Sequence, residues 1–79
     1  MRIVGEIPHP ACKITIYAWN NRSLIQLENS LLEQTFKINQ FDVTGDAEVF
    51  QIVDESFIQE ALERFAEMSR SLHTAISRT

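Results

Sequence analysis

One cysteine, two prolines and two glycines in 79 residues remove several ways of building or using a small domain. A lone cysteine excludes an internal disulfide, so Cys12 cannot staple the chain to itself. Gly5 and Gly45 are too far apart in the sequence to form a glycine-rich phosphate loop. The H-E-x-x-H, G-x-S-x-G and EF-hand patterns are all absent. Basic charge is also scarce: seven Lys and Arg against eleven Asp and Glu give a net charge of −4. Nothing clusters the bases as phosphate binding requires, so nucleic acid is not an expected partner. No apolar run approaches the length of a membrane span, and Arg64, Arg70 and Arg78 are diluted by Glu60, Glu63 and Glu67, so a membrane is not expected either. With no signal-peptide pattern and one free thiol, a cytoplasmic location is expected.

What the chain does contain is a core. Apolar residues make up 44% and charged residues 23%, and the seven aromatics include five phenylalanines, which is the composition of a folded domain. The whole chain, 1–79, reads as a single domain. A domain of this size hides only about 60% of its unfolded surface, so help from a second chain is a natural source of added stability.

The two halves differ in period. Up to about Val43 the apolar residues alternate; from Asp46 onward they recur every three or four. Strands followed by helices predict an α+β domain: a four-stranded antiparallel meander, then a short helix and a long C-terminal helix packed on one face. The first strand, residues 2–7, places Ile3, Gly5 and Ile7 on one face, with Val4 and Glu6 on the other. Pro8 and Pro10 end it. The second, residues 11–19, sets Cys12, Ile14, Ile16 and Ala18 inward and Lys13, Thr15, Tyr17 and Trp19 outward. Asn20-Asn21 is a tight hairpin turn, since asparagine tolerates positive φ. The third strand, residues 23–28, turns at Asn29-Ser30 into a fourth, residues 31–38. Asp46 is expected to cap a short helix ending near Val53, and Asp54 a long one over residues 55–77. An i,i+4 pair between Glu60 and Arg64 is expected on the long helix.

A length mismatch then follows. A 23-residue helix is about 35 Å long, whereas a six-residue strand spans about 20 Å. The helix stripe Ile58, Leu62, Phe65, Met68, Leu72 and Ile76 outruns the sheet, which leaves Met68, Leu72 and Ile76 as the expected interface of a two-fold homodimer. A frayed helix end or a diagonal crossing of the sheet is the alternative.

Chemistry-bearing residues are few. His9 and Cys12, in the segment PHPAC, are donors zinc accepts, but a third ligand is missing and no metal is expected. They also admit a thiol nucleophile with His9 as base. Against this, Cys12 lies on the apolar face, as an inert thiol does, and His9 between two prolines suits an exposed turn. Asp42, Asp46, Glu48, Asp54 and Glu55 gather at helix starts, where the dipole favours them. Thr15, Tyr17 and Trp19 form an outward face suited to a protein or peptide partner, or to mutual support across the sheet.

The opening MRIVGEIPHPACKITI, with the later LLEQTFKI, resembles a family of short bacterial proteins of no assigned activity. The resemblance covers nearly the whole chain and implies a complete small protein, with no site residue and no cofactor attached. The expected function is a non-enzymatic interaction module. A small enzyme or ligand-binding protein using His9 and Cys12 near a dimer interface is the alternative.

Overall fold

The computed structural model describes all 79 residues. Four strands, β1 (Arg2–Ile7), β2 (Lys13–Trp19), β3 (Arg22–Glu28) and β4 (Glu33–Asn39), form one antiparallel sheet in the order β1-β2-β3-β4. A single 3-10 turn, Gln40–Asp42, leads to the short helix α1 (Asp46–Ile52) and the long helix α2 (Glu55–Ser77). The domain is therefore an α+β meander followed by two helices, as the change of period predicts.

The β2–β3 hairpin turns on Asn20 and Asn21, both with positive φ (54° and 60°), and Trp19 pairs with Arg22 across it. Faces alternate along β2: Ile14 and Ile16, with Cys12 just before the strand, are buried towards the helices, and Ile25 and Leu27 join them across the sheet, while Thr15 between the isoleucines is buried as well on the opposite face. Val49 of α1, Val53, and Ile58, Ala61 and Phe65 of α2 close the core from the other side.

β1 departs from simple alternation. Ile3 pairs with Tyr17 and Gly5 with Ile16, so Val4 is an extra residue in the ladder. This bulge turns Ile3 onto the open face, 61% exposed, while Val4 packs against the core. Ile3 thus does not share a face with Gly5 and Ile7. Gly5 has its own role: a Cβ there would meet Cζ of Phe50 at 2.8 Å, so its missing side chain lets the α1 phenylalanine lie on the sheet.

The 29–32 turn also corrects the expected start of the last strand. Asn29 Oδ1 accepts from the backbone N–H of Leu31 and of Leu32, and Asn29 N–H donates to the Leu32 carbonyl. The turn consumes both leucines, and β4 starts at Glu33. Leu31 stays 79% exposed, whereas Leu32 packs on the core edge.

Asp46 is the first residue of α1 rather than its cap, because Gly45 occupies the N-cap position without a side-chain bond. The clasp comes from Thr44, whose N–H and hydroxyl both donate to the Glu48 carboxylate (2.9 and 2.6 Å). These bonds hold the Glu48 carboxyl below its ordinary pKa. Asp54 caps α2 as expected, its Oδ1 accepting from Phe57 N–H at 2.9 Å. Between the helices, Val53 (φ −84°, ψ 70°) forms an inverse γ-turn closed by Asp54 N–H donating to the Ile52 carbonyl.

Helix α2 is fastened to β4 by one buried polar group. The Gln34 amide donates to the Ala61 carbonyl (2.8 Å), and its carbonyl accepts from Nε of Arg64 (2.9 Å). Arg64 also lies over the Phe36 ring, 5.5 Å from its centroid, and Phe57 meets Phe36 edge-on. Arg64 is thereby drawn to the sheet, and the expected Glu60–Arg64 pair does not form. Gln34→Ala strands the Arg64 guanidinium and the Ala61 carbonyl's second acceptor site, so a loss of about 1–3 kcal/mol is expected in denaturant unfolding. A change of only a few tenths would show that this clamp does not hold the helix.

Candidate functional site

Three regions carry the residues that the sequence singles out. The first is the β1–β2 loop, where an open cavity of about 800 Å³ runs along residues 6–14 and meets Glu28, Asn29 and Ser30. His9 is not an exposed turn residue: its side chain is only 13% accessible and faces the start of α2. Nδ1 accepts from Ala11 N–H (3.1 Å), which places the ring proton on Nε2, 3.6 Å from Oε1 of Glu55. The Glu55 carboxyl is held below its ordinary pKa, chiefly by the Gln59 amide that donates to it and also by His9.

Nδ1 is held by its own loop, Nε2 faces the Glu55 carboxylate of α2 at 3.6 Å, and no hydrogen bond joins His9 to the thiol. Cys12 is 7% exposed, and burial pushes its thiol pKa up, away from the thiolate a nucleophile needs. No three His, Cys, Asp or Glu side chains converge to hold a metal ion. His9 is a pin between the loop and the helix.

The second region is the sheet face opposite the helices. Thr15 is 2% exposed, walled in by its neighbours, while Tyr17 is half-buried and Trp19 is 46% exposed. The face that Tyr17 and Trp19 present therefore has Thr15 as part of its floor. Leu24, which pairs with Tyr17, is 6% exposed and lies with Tyr17, Gln26, Thr35 and Met1 around a hollow of about 230 Å³.

The third region is the far end of α2. Phe65 is the last buried residue of the helix; Met68 is half-buried against the core, and Leu72 and Ile76 are 41% and 58% exposed. Leu31 and Leu32 of the β3–β4 turn lie beside this end: both line a cavity of about 80 Å³ with Leu72, and Leu32 lines an open one of about 660 Å³ with Met68 and Leu72. Leu31 was not singled out by the sequence because it was expected inside a strand. Its position in a turn beside α2 is the signal that adds it to the patch.

Comparison with models of known protein families, with curated proteins and with solved structures finds no match. Function is therefore read from these three regions alone. No helix is long and apolar enough to cross a membrane.

The burial of Cys12 generates a test. Alkylation of the native protein at neutral pH should run at least about tenfold slower than in denaturant, and His9→Ala should not abolish a fast reaction, since none is expected. Rapid native labelling that depends on His9 would restore the nucleophile reading.

Proposed function

We propose that this chain is a non-enzymatic interaction module: it self-associates through the end of α2 and takes a protein partner on the Tyr17/Trp19 face of its sheet. The observation that carries this reading is the exposed row Leu72 and Ile76 in an uninterrupted helix, extended sideways by Leu31 at 79% exposure. Met68 continues the row into the core. The row is the same stripe that the sheet covers over Ile58 and Phe65, so a surface like the sheet's own is what its exposed half lacks.

The magnitudes favour association. Full burial of a leucine or isoleucine contributes about 1.5–3 kcal/mol over exposure. A two-fold contact doubles each such term, because the same side chain enters twice. The long axis of the molecule, 45 Å against 25 and 19 Å, reflects the helix end that reaches past the sheet and is free to meet a second copy.

Light scattering in high salt, where surface charge is screened, tests the helix contact. At tens of micromolar the wild type should weigh twice the 9.1 kDa chain, and Leu72→Glu should fall towards one chain mass without loss of helical circular dichroism. A wild type that stays at one chain mass throughout this range would overturn the helix contact.

A further inference from the structure

The open face of the sheet carries charge in an ordered way. Register spreads charged residues over four rows of it: Lys13, Glu28 and Glu33 at the end next to the β3–β4 turn, Glu6 beside Thr15, Lys37 opposite Leu24, and Arg22 opposite Trp19 beside the Asn20-Asn21 turn. One end is thus net acidic and the other basic. Glu28 and Glu33 sit directly opposite one another, a like-charge pair that destabilises a bare sheet. None of these six side chains forms an ion pair within the chain, whose close acid–base contacts are His9–Glu55 and Glu67–Arg70. Glu28 and Glu33, the latter accepting from the Gln26 amide (3.2 Å) but meeting no cation, stand against Arg22 and Lys37 across a middle that holds Tyr17, Leu24 and the hollow beside them.

We propose that the partner on this face is a second copy of the same chain, its sheet stacked on the first by a two-fold axis that reverses strand direction, so that the acidic end of each copy meets the basic end of the other. The inference rests on the reading of this face as a protein-binding surface and is independent of the α2 contact. A strand-reversing axis centred between the Leu24 and Gln26 rows brings Arg22 over the partner's Glu28. It also brings Trp19 over the partner's Lys13, a cation–π arrangement. The other in-plane two-fold, parallel to the strands, keeps each row over itself: centred between β2 and β3 it sets Lys13 over the partner's Glu28 but leaves Arg22 with no acid to meet, so exchanging the Arg22 and Glu28 charges tells the two axes apart. Aligned stacking of two such faces is the ordinary packing of a β-sandwich.

Size sets the strength. Four strands at about 4.8 Å spacing and seven residues at about 3.3 Å give a face roughly 20 Å across in each direction. That is smaller than each side of a standard interface, so the contact is weak and sensitive to salt. With the α2 contact present as well, two different two-fold contacts build assemblies larger than a dimer.

The experiment uses Leu72→Glu as background, in low salt at tens to hundreds of micromolar, with sedimentation equilibrium as the readout. A dimer that dissociates as salt rises is expected. Adding Arg22→Glu, or Glu28→Arg, should weaken it at least about tenfold. Mixing those two variants, or combining both changes in one chain, should restore association, because each reversed charge then faces an opposite one. Unchanged thermal unfolding of the variants shows that the fold is intact. A Leu72→Glu protein that remains a single chain in low salt overturns the proposal, as does a dimer that the charge exchange fails to rescue. Failure of the α2 contact leaves these outcomes untouched, since it is read separately in high salt on the wild type.

Discussion

A short sheet can shelter only part of a long helix, and most of what is distinctive in this molecule follows from that constraint. The strands are six or seven residues long and the helix 23. At about 1.5 Å per helical residue and 3.3 Å per strand residue, α2 exceeds the sheet by roughly two turns even if perfectly aligned with it. The core ends at Phe65, and the apolar stripe does not. A chain that kept Leu72 and Ile76 on that stripe without a use for them would carry an exposed greasy end on a domain with little stability to spare.

The position of that free end is fixed by polar rather than apolar contacts. Hydrophobic packing of Ile58, Ala61 and Phe65 tolerates sliding along the sheet, whereas the two hydrogen bonds of Gln34 do not. A buried amide that must meet one particular carbonyl and one particular guanidinium specifies register. His9 adds a second fixed point at the helix start, and Phe50 seated on Gly5 a third for α1. With the helix so held, its last turns lie beside Leu31 and Leu32, and the two helices leave the other sheet face open. The molecule therefore has two candidate surfaces that do not overlap: an apolar one at the helix end and a polar, charged one with aromatic members on the sheet.

Much of this architecture is legible in the residues. The Asn20-Asn21 turn, the alternation of β2 and the Asp54 cap are local signals, each decided by one or two neighbours, and each appears where the sequence places it. The overhang of α2 is legible for the same reason, since it is a comparison of two lengths. Features that depend on a distant partner are not. Nothing near Val4 announces a bulge, because the mismatch arises only when β1 is laid against β2. Leu31 and Leu32 look like strand residues until Asn29 caps their amides. Gln34 and Arg64 look like solvated polar residues, and their pairing is set thirty residues apart. His9 is read as exposed from its prolines and becomes covered only because α2 begins against it. The charge order of the open face likewise becomes visible only once the strand register is known.

Hydrogen exchange of the α2 backbone at two protein concentrations tests the central constraint most directly. Amides around Ile58 to Phe65 lie over the sheet and should be protected to the same degree in dilute and concentrated protein. Those from Leu72 onward should exchange quickly when dilute and slow markedly when concentrated, as the proposed contact with a second chain requires. Equal, strong protection along the whole helix at the lowest concentration would contradict the account, for it would mean that the sheet and its own helix already suffice.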